Sequence, residues 1–107
     1  MEKLDKTFPS RPLAWPPAAH WALAGVVGSG NLEVLLERNP ATPDAMECHV
    51  ETSIPGYADS WLAALGDFAT HYAVGGARVT IHDQGAAPIV VTLRLRQAYD
   101  HLARAAR

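Results

Sequence analysis

Trp21-Ala22-Leu23-Ala24-Gly25-Val26-Val27-Gly28-Ser29-Gly30-Asn31-Leu32-Glu33-Val34-Leu35-Leu36-Glu37 reads as two strands joined by a turn. Residues 21–27 are small or apolar with no helical spacing and suit a strand. Gly28, Gly30 and Asn31 are residue types that tolerate positive φ, so 28–31 reads as the turn. Leu32, Val34 and Leu36 then alternate with Glu33, Leu35 and Glu37, the pattern of a half-buried strand. The product is a hairpin with Ser29 at its tip. Its hydroxyl is flanked by two residues without side chains and is sterically open.

The same reading extends in both directions. Arg38 to Ala45 contains Pro40 and Pro43 and forms a loop. Met46, Cys48 and Val50 alternate with Glu47, His49 and Glu51 as a third strand, ended by Pro55-Gly56. The period then changes: Tyr57, Trp61, Leu65, Phe68 and Tyr72 make one apolar stripe of a helix, with Gly75-Gly76 as its stop. Arg78 to His82 alternates again, and Asp83-Gln84-Gly85 is a turn. Ile89, Val91, Leu93 and Leu95 alternate with Val90, Thr92, Arg94 and Arg96, which predicts a fifth strand. A final helix would follow, with Tyr99, Leu102, Ala103 and Ala106 on one face. Alternatively, Pro88 opens a single long helix through Arg107, since proline suits a first helical turn. The sustained alternation favours the strand.

These elements predict an α+β fold: an antiparallel sheet of about five strands with two helices packed on one face. Residues 21–107 form this single domain. Residues 1–20 hold Pro9, Pro12, Pro16 and Pro17, half of the chain's 8 prolines. They predict an extended, poorly paired N-terminal arm, with Trp15 as its anchor.

At 107 residues the chain suits one domain with one core and little room for a deep substrate cavity. A net charge of -2 argues against a nucleic-acid binder. Arg94, Arg96, Arg104 and Arg107 are the sole basic cluster and read as a solvated edge. One cysteine, Cys48, allows no intrachain disulfide. No apolar run is long enough to span a bilayer, and the charged start, Glu2, Lys3, Asp5 and Lys6, is unlike a secretory signal. A cytoplasmic location is the expectation.

Five histidines raise the question of catalysis. His20, His49, His71, His82 and His101 lack the local spacing of a zinc site. Glu47, His49 and Glu51 share a strand face, but alternating charge is the ordinary content of a wet sheet face. His82 and Asp83 are strand neighbours and point to opposite faces, so they do not form a dyad. A triad of Ser29, His82 and Asp83 has nothing in the sequence to assemble it, and the G-x-S-x-G elbow is absent. No catalytic residue and no metal ligand is assigned. Ser29 is better placed to be modified than to attack, because no neighbour activates it.

Val26-Val27-Gly28-Ser29-Gly30-Asn31-Leu32-Glu33-Val34-Leu35-Leu36-Glu37 resembles the prosthetic-group segment of the malonate decarboxylase acyl carrier proteins, the delta subunits. Ile81-His82-Asp83-Gln84-Gly85-Ala86-Ala87-Pro88, continued by Val90 to Arg96, resembles that family's C-terminal region. The gamma chain of citrate lyase is a more distant likeness. The resemblance spans roughly residues 22 to 103. It implies that Ser29 bears a 2'-(5''-phosphoribosyl)-3'-dephospho-CoA arm through a phosphodiester, with Gly28, Gly30 and Asn31 as turn context. The arm's thiol would carry acetyl and malonyl groups. The implied partners are the other malonate decarboxylase subunits, with their acyl-carrier transferase and decarboxylase activities, the prosthetic-group transferase and the malonyl transferase. Asn31 stands where that family usually has Asp. A different reading of the same fold is an accessory subunit that is never modified, in which Gly28-Ser29-Gly30 is a plain turn.

Overall fold

The computed structural model describes residues 1–15 and 20–105. Five strands and two helices follow in the order β1 (Glu2–Pro9), β2 (Trp21–Gly25), β3 (Leu32–Arg38), β4 (Ala45–Thr52), α1 (Ala58–His71), β5 (Ala77–Asp83) and α2 (Pro88–Ala105). The strands form one sheet in the order β1-β4-β5-β3-β2. The fold class is α+β as expected, but the sheet is mixed: β4 and β5 pair in parallel and the other pairs are antiparallel.

The register aligns side chains of one kind in rows across the sheet. Leu4, Val50, Ile81, Val34 and Ala24 form one row, and Cys48, Val79, Leu36 and Ala22 belong to another. All of these except the half-buried Leu4 are buried, and both helices cover this face. α1 lies towards β1, and α2 lies over β2 and β3. The opposite face carries Asp5, Glu47, His49, Glu51, Arg78 and His82 and points away from the helices. Period-2 alternation in the sequence thus becomes one dry and one wet face.

The predicted strand over 89–95 is instead the first half of α2. Val91, Leu95, Ala98 and Leu102 are buried at spacings of four, three and four, whereas Ile89 and Leu93 are exposed. The alternation is real, but half of its apolar residues face solvent. Pro88 occupies the first helical position, where its missing N–H costs nothing.

The fifth strand lies in the segment expected to be a poorly paired arm. Residues 2–9 pair with β4 along their whole length, Glu2 opposite Thr52 and Pro9 opposite Ala45. The chain stays attached beyond β1. The Ser10 hydroxyl accepts from the Val74 N–H (3.1 Å) and lies 2.7 Å from the Ala69 carbonyl oxygen, so it caps the end of α1. Leu13 is buried, and Trp15 packs against the core as its anchoring role requires. Pro16 and Pro17 lie outside the described residues.

The helix stripe is confirmed at Trp61, Leu65 and Phe68, while Tyr57 at the N-cap is exposed. Tyr72 packs against Tyr99 of α2 with the rings tilted by 58° and their centroids 4.9 Å apart. α1 ends before the glycines, at an extended Tyr72. Gly75 serves close approach instead: a Cβ there would lie 2.5 Å from the Ser10 carbonyl oxygen and 2.6 Å from that of Pro43. Because both obstacles are backbone, Gly75→Ala should destabilise the fold by about 1–3 kcal/mol or more, the usual range for overpacking. Gly28→Ala, which meets nothing within 4 Å, should be near neutral. Urea midpoints of the two variants check this.

Candidate functional site: the Ser29 turn

β2 ends at Gly25, two residues earlier than the sequence suggested, because Gly25 turns the chain with a φ of +79°. Val26 and Val27 therefore belong to the connection, and both are exposed. At its tip the Asn31 N–H donates to the Gly28 carbonyl (2.9 Å), closing a four-residue turn with Ser29 and Gly30 at its centre. Gly30 has a φ of +71°, the left-handed value that a type II turn demands at its third position. A side chain at Gly28 or Gly30 would meet nothing within 4 Å. Ser29 is exposed, and its hydroxyl has no hydrogen-bond partner among the described residues. The turn is open in three dimensions, as its glycines suggest.

The turn is exposed but braced. The Gly30 N–H donates to the Gln84 carbonyl (2.7 Å), and the Gln84 N–H donates to the Asn31 carbonyl (3.0 Å). The Asn31 side-chain oxygen accepts from the Leu32 N–H at 2.8 Å. That local role needs only an acceptor, which an Asp would supply equally well. Asn31 therefore preserves the turn and omits a negative charge beside Ser29.

Gln84 is held in turn by Asp83, which is 5% exposed. The Asp83 carboxyl accepts from the Thr52 hydroxyl (2.8 Å), the Gly85 N–H (3.1 Å) and the Ala86 N–H (3.0 Å). This clasp ties the ends of β4 and β5 to the start of α2. Sequence reading placed Asp83 in a turn but missed its partner Thr52. The available signal was Thr52's place one step beyond Met46, Cys48 and Val50, on the inward face.

The other candidate groups are not assembled with Ser29. His82 lies 3.6 Å from Glu51 on the wet face, and Asp83 points to the dry one, as the strand geometry required. His49 sits between Asp5 (2.6 Å from Nδ1) and Glu47 (2.7 Å from Nε2), and Glu47 also meets Arg78 at 3.3 Å. Two carboxylate acceptors require both ring nitrogens to donate, which is the protonated form. The Asp5 hydrogen bond, followed by that of Glu47, accordingly raises the His49 pKa. Glu51 does not join this row. Among the described residues no group of His, Cys, Asp and Glu is placed to hold a metal ion. Burial pushes the Cys48 thiol up to about 12, which removes it as a nucleophile near neutral pH.

Comparison with known proteins follows this geometry closely. A family model described as malonate decarboxylase delta subunit (MdcD) matches residues 19–102. A malonate decarboxylase acyl carrier protein of Xanthomonas campestris pv. campestris is 47% identical over 102 residues, covering 95% of each chain. One from Burkholderia cepacia is 48% identical over 99 residues, covering 92% of this chain and 87% of the relative. Among solved structures, a chain in the crystal structure of a Pseudomonas malonate decarboxylase hetero-tetramer in complex with malonate superposes with a TM-score of 0.81. It is 37% identical, over 95% of this chain and 99% of that one.

Two outcomes follow from the site's geometry. Asp83→Ala leaves the Thr52 hydroxyl and two turn amides without their acceptor and should cost about 1–3 kcal/mol by chemical denaturation. The Asp5–His49–Glu47 row should make stability pH-dependent. The raised His49 pKa gives stabilisation that is full below its ordinary 6.5 and is lost as pH rises through the raised value. The Glu47 pKa is lowered, chiefly by the His49 hydrogen bond, so its contribution is present above 4.5 and lost as pH falls. His49→Gln should therefore lose most, relative to the parent, between pH 4.5 and 6.5, and least towards alkaline pH. The His49 side chain is 39% exposed, so solvent screening keeps the difference to about 0.2–1 kcal/mol. Paired melts across pH measure it.

Proposed function

The chain belongs to the malonate decarboxylase delta-subunit family, the acyl carrier proteins of that system, and we propose that Ser29 is the residue through which it carries acyl groups. In this reading the Ser29 hydroxyl is joined by a phosphodiester to a phosphoribosyl-dephospho-CoA arm. When attached, the arm supplies the thiol on which acetyl and malonyl groups travel. The chain itself is a non-catalytic subunit. It works in the cytoplasm with the transferase and decarboxylase subunits of the complex, after loading by a prosthetic-group transferase and charging by a malonyl transferase.

The observation that carries this proposal is the open space around Ser29. A transferase must bring a bulky, anionic donor to the hydroxyl, and the positions on either side of Ser29 have nothing within 4 Å of a Cβ. The turn is nevertheless fixed to Gln84 by two backbone hydrogen bonds, so the hydroxyl is presented in one place. The protein binds, orients and displays. It holds no base against Ser29, and a carrier needs none.

Intact mass after incubation with the native transferase and its donor tests the assignment. Ser29→Ala should stay within about 0.5 kcal/mol of the parent in stability, as an exposed position does, and should gain no mass. Gly30→Val should lose most of the loading rate and keep a cooperative melt. Its β-branched side chain stands beside the hydroxyl, at a φ that such residues rarely adopt. Gly30→Ala should be intermediate. A parent protein that gains no mass would favour the unmodified accessory subunit, and mass gain by Ser29→Ala would move the site elsewhere.

A further inference from the structure

A cavity of about 500 Å³ opens at the same end of the sheet as the Ser29 turn, between the ends of β4 and β5 and the two helices. Its walls include Ile54, Trp61, Ala64, Ala86 and Val91, and Thr52 and Asp83 belong to its polar part. The size and the apolar lining are those of a small-molecule site. Ile54 and Tyr57 at the cavity are exposed, so the way in is open. Trp61 and Val91 are buried, so the inner wall is apolar.

The cavity is coupled to Ser29 by backbone. Gly85 and Ala86 line it, and Gln84, next in the chain, exchanges two hydrogen bonds with the Ser29 turn. Summing the Cα spacings across those bonds puts Ser29 within about 14 Å of Gly85. A CoA-derived arm is longer than this.

We propose that this cavity is a resting site for the apolar, thiol-bearing end of the arm on Ser29, and that it shelters a neutral thioester from water. The proposal rests on the reading of Ser29 given above. The gem-dimethyl and methylene groups of a pantetheine chain match the apolar walls. Tethering raises the effective concentration of the arm's end to the millimolar range, so weak intrinsic affinity suffices. The Asp83 carboxyl adds discrimination. It accepts hydrogen bonds from Thr52, Gly85 and Ala86 and, as a carboxylate, has no donor to offer. A second carboxylate brought beside it would be desolvated without a partner. The free thiol and the acetyl thioester fit; a malonyl group, with its terminal carboxylate, is kept out and available to other subunits.

The test uses the full chain loaded by the native transferase, with loading confirmed by mass, in acetyl and malonyl forms. In the acetyl form, NMR should show contacts between the arm's geminal methyls and the methyls of Ile54, Ala64 and Val91. These contacts should be absent from the malonyl form. Ala64→Leu fills the cavity away from Ser29, so it should load normally and lose the contacts. Its acetyl thioester should hydrolyse on the order of 2- to 10-fold faster, the ratio for an arm sheltered half to nine-tenths of the time. A loaded parent without such contacts, whose hydrolysis rate Ala64→Leu leaves unchanged, overturns the cavity proposal and leaves Ser29 as the attachment point. Absence of mass gain overturns the Ser29 reading and this proposal with it. Contacts of equal strength in the malonyl form overturn the discrimination assigned to Asp83.

Discussion

The parallel pairing of β4 with β5 is the constraint from which the rest of this small structure follows. Parallel neighbours need a crossover, and α1 supplies it. The crossover fixes which face is covered and brings the ends of both strands, Thr52 and Asp83, side by side. β3 enters the sheet opposite Asp83, through its pairing with Leu32. Three connections therefore meet at one end of the sheet; the buried Asp83 carboxyl joins two of them by accepting from Thr52 and from two turn amides, and the Gln84 backbone joins the third. The Ser29 turn is exposed yet well placed because it is hydrogen-bonded to this clasp.

The same architecture keeps the protein's own reactive groups quiet. Cys48 is buried beneath the helices, and burial holds its thiol protonated. His49 lies on the far face between two carboxylates, and His82 is turned away from Asp83. At the braced end Ser29 displays an exposed hydroxyl that has no hydrogen-bond partner among the described residues. For the proposed carrier role this is a coherent division: the chain would provide position, and chemistry would belong to the arm proposed on Ser29 and to other subunits.

Much of this was legible in the sequence where burial is one-sided. Leu32, Val34 and Leu36, and Met46, Cys48 and Val50, alternate because their strands have one dry face, and each set is buried as read. The Ser29 turn was legible because Gly28, Gly30 and Asn31 encode backbone geometry directly. Residues 89–95 were misread because Val91 and Leu95 satisfy a period of two and a helical period alike. Only Ala98 and Leu102, farther along, choose between them. β1 was missed because it is an edge strand: Leu4 and Phe8 are half-covered, and Lys3, Asp5 and Lys6 dilute the pattern. The Asp83–Thr52 bond joins residues 31 apart in sequence, and no local pattern announces it.

The strand order also has a bearing on how the chain comes together. β5, the middle strand of β1-β4-β5-β3-β2, is the last strand in sequence. During synthesis from the N-terminus, β2 can pair with β3 and β1 with β4, but the two pairs have no shared partner until residues 77–83 emerge. Each pair alone is a two-stranded ribbon, which is marginal in water. Joining them requires closure of the loops on both sides of β5, an entropic cost that falls late and all at once. A nascent chain stopped before Ala77 therefore holds two apolar half-sheets with open edges. Arrival of β5 converts them into one cooperative unit, and the Asp83 clasp beside Ser29 forms in that final event.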